Sequence, residues 1–78
     1  MPNILEGHKT QNLYEAAFLR AHGFKLAGKE RSGQKVTIVF APDPSINDAV
    51  MDFYNGGHVE GQAFVEAYRT LKDLVFER

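Results

Sequence analysis

The sequence predicts a small α+β domain in which one helix, a β-hairpin and two further helices follow one another. Apolar and polar residues alternate from Phe24 to Ala41 around a glycine-containing turn, which is typical of a hairpin with one buried face. Apolar residues recur at helical spacing once before this segment and twice after it. We therefore expect the helices to pack on one face of a two-stranded antiparallel sheet.

Length and composition are those of a small globular domain. The chain has 78 residues, of which 44% are hydrophobic, with no cysteine and a formal net charge of −1. These values predict a single domain over residues 1–78, with an ordered core from about position 10 to 76, and exclude disulfides and thiolate metal sites. Because the sequence shows neither a signal-peptide pattern nor a long apolar run, we expect a cytoplasmic protein without a membrane partner.

The segment before the first helix, residues 1–9, has little pattern. Its one apolar pair is Ile4-Leu5. This segment allows two outcomes, and the added strand is one of them because exposed strand edges in small proteins are usually covered or blunted. The segment either frays or adds a short third strand to one edge of the hairpin.

The first helix is predicted from about Leu13 to His22. Asn12 is a favourable N-cap, and Glu15, three residues later, completes a variant of the capping box. Gly23 stands where a helix ends in the left-handed conformation. The helix therefore leads directly into the hairpin.

The hairpin register follows from parity. A three-residue turn, Arg31-Ser32-Gly33, pairs Phe24 with Phe40 and Leu26 with Ile38, whereas a two-residue turn at Ser32-Gly33 would mix the two faces. The preferred register collects the apolar residues on the inner face: Phe24, Leu26, Val36, Ile38 and Phe40. The outer face then carries Lys25, Lys29, Lys35 and Thr37, with Arg31 at the tip.

Two helices follow the hairpin. Asp43 is predicted to be the N-cap of the second helix, with Pro44 as its first residue, and Asn55-Gly56-Gly57 is predicted to end it. The third helix is expected from about Glu60 to Phe76, and it has the clearest amphipathic pattern in the chain.

The run from Asn12 to Leu26 resembles the opening of an uncharacterised family of short domains of unknown function that occur in bacteria, archaea and their phages. The segments Ile38-Val39-Phe40, Tyr54-Asn55-Gly56 and Ala67 to Lys72 extend this resemblance over about residues 10–74. Asn12 stands where the family pattern has Asp, and Tyr54 where Trp is common. Since these motifs are mostly core and cap residues, the resemblance implies the fold and a phage-related protein, and no established reaction.

Patterns typical of catalysis or metal binding are missing from the sequence. His8, His22 and His58 form no pair at the spacing that places two ligands on one helical face. Neither Ser32 nor Ser45 has a histidine positioned beside it in the sequence. We therefore expect a protein that is not an enzyme and that uses no cofactor and no metal.

The outer hairpin face is the leading candidate for a binding site. Its residues are Lys25, Lys29, Arg31, Lys35 and Thr37. Cations along a strand pair can hold the phosphates of nucleic acid or of a nucleotide. Gly56 and Gly57 are a second candidate, because they precede a helix whose N-terminal N–H groups can bind an anion. The leading hypothesis is a non-enzymatic module that binds such an anionic ligand.

The alternative is a protein-interaction or oligomerisation module that acts as an adaptor or inhibitor. Lysines on exposed strands also prevent edge-to-edge aggregation, so they need not bind a ligand. A chain this short often completes its core by dimerising, and we therefore expect a homodimer. The candidate interface residues are Ala27, Thr37 and Val39 on the sheet, and Tyr14 and Tyr68 on the helices.

Overall fold

The computed structural model describes residues 7–76 and has a small α+β fold, as the sequence predicts. Within this range the strands are β1 (Lys9–Thr10), β2 (Leu26–Ser32) and β3 (Lys35–Phe40). The helices are α1 (Leu13–Ala21), α2 (Ile46–Tyr54) and α3 (Gly61–Phe76). The sheet is antiparallel with the strand order β1-β3-β2. The predicted order of helices and hairpin is confirmed, whereas the predicted two-stranded sheet has a third strand.

The third strand comes from the segment before α1. Lys9 pairs with Val39 and Thr10 with Ile38, and the Phe40 N–H donates a hydrogen bond to the carbonyl of His8. Of the two outcomes left open for this segment, the structure has the added edge strand. The apolar pair Ile4-Leu5 lies outside the described residues.

The hairpin turn has two residues, Gly33 and Gln34, because Ser32 pairs with Lys35. Gly33 has a φ of 62°, while Gln34 has a negative φ, a combination found in type II′ turns. The predicted three-residue turn is therefore wrong. Glycine at the first central position gives the twist that joins two antiparallel strands most readily.

A β-bulge at Ala27 explains why the predicted register is also wrong. Leu26 pairs with Phe40, and Gly28 pairs with Val39, so β2 contains one extra residue. Every β2 residue after the bulge is thereby moved to the opposite face from the one that simple alternation predicts. The predicted pairs Phe24–Phe40 and Leu26–Ile38 do not form.

The core is built around α1. Five consecutive residues of this helix, 15–19, are buried, because α1 packs against both other helices and against β1. Ile38 and Phe40 are fully buried beneath the helices, and Leu71 of α3 is fully buried with them. The predicted inner hairpin face is confirmed in its apolar members, since the remaining three also pack against this core: Phe24, Leu26 and Val36.

Glycines end α1 and α2 in the same way. Gly23 and Gly56 have φ angles of 96° and 80°, and each follows a helix whose last carbonyls accept two hydrogen bonds from the residues beyond it. In α2, the Gly57 N–H donates to Asp52 and the Gly56 N–H donates to Phe53, which is the Schellman pattern. The predicted ends of both helices are confirmed.

The start of α2 differs from the prediction. The helix begins at Ile46, with Ser45 as its N-cap, rather than at Pro44. The Asp43 carboxylate accepts hydrogen bonds from the Ser45 N–H and hydroxyl at 2.8 and 2.7 Å, and these bonds lower the pKa of Asp43 below its usual value. Asp43 therefore fixes the turn before the helix and does not cap the helix itself.

Candidate functional site

The structure separates the residues of the predicted basic face. Lys29 pairs with Ile38 and Arg31 with Val36, so both cations lie on the inner, helix-facing side of the sheet. Arg31 is consequently not at an outward-facing tip, and Lys29 is not on the outer face. The bulge at Ala27 is the physical reason for both corrections.

Lys29 and Arg31 bind the end of α3. Lys29 Nζ donates to the main-chain carbonyl of Leu74 at 2.5 Å, and an Arg31 guanidinium nitrogen donates to that of Val75 at 2.8 Å. The last carbonyls of a helix lack partners within the helix, and the helix dipole places negative charge there. Both cations therefore have a structural role inside the domain.

The outer sheet face retains Lys35 and Thr37, as predicted. Thr37 accepts a hydrogen bond from Gln11 at 3.3 Å. A residue not predicted there, Glu30, pairs with Thr37 across the strands and forms an ion pair of 3.1 Å with Lys9. The charge of this face is therefore mixed rather than uniformly basic.

Lys25 and Lys35 are exposed but lie at opposite ends of the hairpin. Lys25 comes just before β2, whereas Lys35 pairs with Ser32 beside the turn. Seven intervals of extended chain separate Lys25 from Ser32, which at about 3.3 Å per residue corresponds to about 23 Å. One phosphate group cannot contact both lysines at this separation.

The glycine turn is held by contacts within the chain. A Cβ atom on Gly57 would lie 2.4 Å from Asp52 Oδ2, so this position needs a glycine for steric reasons. The anion position at the start of α3 is occupied by a side chain of the protein. The Glu60 carboxylate accepts hydrogen bonds from the N–H groups of Gln62 and Ala63 at 3.2 and 2.6 Å.

A buried carboxylate network around Glu15 was not predicted from the sequence. The Glu15 side chain is 5% exposed; it contacts His8 Nε2 at 2.5 Å and accepts a hydrogen bond from the Tyr54 hydroxyl at 2.7 Å. This hydrogen bond and the charge of Glu15 raise the pKa of Tyr54 above its usual value. Within residues 7–76, no buried side-chain nitrogen or oxygen lacks a hydrogen-bond partner, so the network is closed and holds α1, α2 and the N-terminal strand together.

The capping-box prediction for Glu15 is wrong in its second half. Asn12 caps α1 as predicted, because its side chain accepts hydrogen bonds from the N–H groups of Tyr14 and Glu15. The Asn12 N–H, however, donates to the Thr10 hydroxyl at 3.0 Å instead of to Glu15. A glutamate directly before the run Ala16-Ala17-Phe18-Leu19 was the available signal that this side chain is buried.

An aromatic surface lies on α1 and α3, and it consists of Tyr14, Phe64, Tyr68 and Lys72. The Tyr14 and Tyr68 rings are stacked, with centroids 5.4 Å apart and planes inclined by 10°. Tyr68 also stacks on Phe64 at 6.3 Å, and Lys72 Nζ is 5.9 Å from the Tyr68 ring centroid. Tyr14 is 59% exposed. Tyr14 and Tyr68 were predicted from the sequence as interface residues, and the four-residue spacing of positions 64, 68 and 72 was the signal for Phe64 and Lys72.

Two kinds of feature are not found in the part of the chain that is described. Residues 7–76 contain no group of three His, Asp or Glu side chains that could hold a metal ion. Over the same range, the helices are too short or too polar to cross a membrane. The aromatic surface and the dispersed basic residues are two candidates for binding.

Comparison with known proteins gives a family without an assigned activity. A family model described as a domain of unknown function (DUF5659) matches residues 6–77. No curated protein and no solved structure matches the sequence. The match covers nearly the whole chain, and it confirms the resemblance seen in the core and cap residues. The protein is therefore a member of the DUF5659 family of domains of unknown function.

Proposed function

We propose that this domain is a non-enzymatic protein-interaction module that binds a partner protein through the aromatic surface. The observation that carries the proposal is the stack of the exposed Tyr14 on Tyr68, which is half-buried against the core. Tyrosine is enriched in protein interfaces and among the residues that contribute most to binding energy. Because the two rings already hold each other in place, a partner would immobilise them at little further cost in side-chain entropy.

The charges around the aromatic surface favour a protein partner over a nucleic acid. Lys72 is the charged member of this surface, whereas the acidic residues Glu66 and Asp73 lie on another face of α3. Nucleic-acid sites have a stripe of positive charge that neutralises several phosphates. A single lysine beside the rings falls short of such a stripe, whereas aromatic side chains with a charged residue at their edge are common in protein interfaces.

The anionic-ligand hypothesis remains as a second proposal, with fewer residues. Lys29 and Arg31 bind α3, and Lys9 is paired with Glu30. Lys25 and Lys35 are both exposed at the two ends of the hairpin, which favours an extended polyanion over a single phosphate or a nucleotide. Thr37, half-buried between them, would add one hydroxyl contact.

Binding measurements with matched variants test the two proposals. A protein recovered from host extract on immobilised domain is purified and titrated by calorimetry against the wild type, Tyr14→Ser and the double variant Lys25→Ser/Lys35→Ser. We expect Tyr14→Ser to weaken binding about tenfold or more, and the lysine variant to bind like the wild type. Tyr14 is exposed, so its substitution should leave the fold intact.

The opposite pattern would favour the anionic ligand. If Tyr14→Ser binds the purified partner as tightly as the wild type, the aromatic surface is not the interface. Titration with single-stranded and double-stranded oligonucleotides then decides the alternative. Binding that falls steeply with salt and is lost in Lys25→Ser/Lys35→Ser would support it.

A further inference from the structure

A shallow groove runs between α1 and α3, apart from the aromatic surface. It has a volume of about 260 Å³ and is open to solvent. Its lining consists of Arg20, Ala21, Ala63, Glu66, Ala67 and Thr70. The three alanines form an apolar floor, and the longer polar side chains stand along its rim. On α3, these positions fall on a different helix face from Tyr68 and Lys72.

The rim of the groove carries one charge of each sign. Arg20 comes from α1 and Glu66 from α3, and both are exposed. Among residues 7–76, the ion pairs are His8–Glu15 and Lys9–Glu30, so Arg20 and Glu66 have no ionic partner within the described chain. The groove therefore presents one positive and one negative side chain beside an apolar floor.

This charge pattern is complementary to itself. When two identical surfaces meet across a two-fold axis, each residue can face a different residue of the other copy, and the contact is made twice. Arg20 of one copy would then face Glu66 of the second copy, and Glu66 would face Arg20. A partner of uniform charge, such as a nucleic acid, would be repelled by one of the two side chains.

The size of the groove also favours a macromolecular surface over a small ligand. Small-molecule sites are commonly enclosed and measure about 300–1,000 Å³. This groove is smaller and open, and its alanine floor allows a helix of another molecule to approach closely. A domain of 78 residues gains from further apolar burial, because its own core is near the lower limit for independent folding.

We propose that this groove is a homodimer interface, in which the α1–α3 surfaces of two copies meet across a two-fold axis and form reciprocal Arg20–Glu66 ion pairs. This inference goes beyond the proposed function, since it concerns another face of the domain. The aromatic surface stays accessible to a different protein in such a dimer. Failure of either proposal leaves the other intact.

Charge exchange tests the interface. Sedimentation velocity is measured from micromolar to millimolar protein for the wild type, Arg20→Glu, Glu66→Arg and the double variant Arg20→Glu/Glu66→Arg. Each single variant places like charges together twice, so we expect its dimer dissociation constant to rise about tenfold or more. The double variant restores both pairs with exchanged signs and should dimerise like the wild type. Lys35→Glu, on the outer face of the hairpin and away from α1 and α3, is the matched control and should also dimerise like the wild type.

Mixing the two single variants tests the two-fold symmetry. In a complex of Arg20→Glu with Glu66→Arg, both cross-interface pairs are again of opposite charge, and we expect a heterodimer. A wild type that stays monomeric throughout overturns the proposal. So do single variants that dimerise like the wild type, or a mixture that stays monomeric. Circular dichroism verifies folding, and if a reversed-charge variant fails to fold, the neutral variants Arg20→Gln and Glu66→Gln should each weaken dimerisation about threefold.

Discussion

Arg31 in β2 donates a hydrogen bond to the main-chain carbonyl of Val75, 44 positions later, and so fixes the hairpin to the last turn of α3. Lys29 makes the same kind of contact with the carbonyl of Leu74. Glycines end α1 and α2, whereas the end of α3 is bound by two cations from the sheet. Residues predicted to bind a ligand therefore contribute to the fold.

The double variant Lys29→Met/Arg31→Met should lower the free energy of unfolding by about 1–2 kcal/mol, because it removes two charged hydrogen bonds at the negative end of a helix dipole. Urea denaturation followed by circular dichroism measures the change. Lys35→Met, on the opposite face of the same hairpin, is the matched control and should stay within about 0.5 kcal/mol of the wild type. Equal loss in both variants would contradict a specific role for the two α3 contacts.

The Glu15 network predicts a larger effect. Glu15→Ala should lower the free energy of unfolding by about 3 kcal/mol, because it removes the acceptor that His8 and Tyr54 share. Thermal and urea unfolding measure the loss, and Asp73→Ala, which removes an exposed carboxylate from α3, is the control. A loss below about 1 kcal/mol for Glu15→Ala would show that the network adds little to stability.

Most helix boundaries and the apolar inner face could be predicted because they depend on local signals; the exception is the start of α2, where Asp43 bonds to Ser45 instead of capping the helix. Asn12, Gly23 and Gly56 act through their own neighbouring main-chain groups, and the apolar members of the hairpin need burial whatever the register. The bulge at Ala27 does not disturb the apolar pattern, because Leu26 stays on the inner face with it or without it; the available local signal was Gly28 inside the strand. Once the bulge is present, the faces of Lys29 and Arg31 are reversed.

Long-range contacts account for the rest of what the sequence could not predict. Lys29 and Arg31 were predicted to be surface cations because the carbonyls that they bind are more than 40 positions away in the sequence. Glu15 was predicted to be a cap residue because its spacing from Asn12 fits a capping box. In the structure its carboxylate instead accepts a hydrogen bond from Tyr54, 39 positions later. Of the aromatic surface, helical spacing indicates Phe64 and Tyr68 on one helix, but only the packing of α1 on α3 brings Tyr14 onto Tyr68.

Tyr54 should titrate above its ordinary pKa of 10.0, since its hydroxyl donates to the negative Glu15 carboxylate. Between pH 10.0 and the higher folded-state pKa, the Tyr54 hydroxyl therefore stays protonated in the folded protein, whereas the same hydroxyl is deprotonated in the unfolded chain. This contribution to stability is complete below pH 10.0 and is lost as the pH rises through the higher folded-state pKa. Ultraviolet absorbance titrations of the wild type and of Tyr54→Phe are subtracted from each other, and the difference isolates the titration of Tyr54. The subtraction is needed because the pKa of Tyr68 is also raised, mainly by burial and further by Tyr14.

Glu15→Gln supplies the control for this titration. It removes the charge but keeps an acceptor, and it should lower the pKa of Tyr54 towards the ordinary value. An unchanged titration of Tyr54 in Glu15→Gln would contradict the assigned cause.

Gly57 should tolerate alanine poorly. The added Cβ would approach the Asp52 carboxylate at 2.4 Å and the Asp52 main-chain oxygen at 2.8 Å, and the second of these atoms belongs to the helix end itself. We expect Gly57→Ala to cost about 1–3 kcal/mol of unfolding free energy, as other forced contacts in packed structures do. Chemical denaturation measures the loss.

Gly61→Ala is the matched control for Gly57→Ala. No atom lies within 4 Å of a Cβ at Gly61, and alanine at the start of α3 reduces the entropy of the unfolded chain, so this variant should be neutral or more stable than the wild type by up to about 1 kcal/mol. If both variants are as stable as the wild type, the close approach to Asp52 does not hold the turn. In that case Gly56 and Gly57 could again be considered for ligand binding. A loss of stability in Gly57→Ala, as we expect, argues instead for a structural role of this turn.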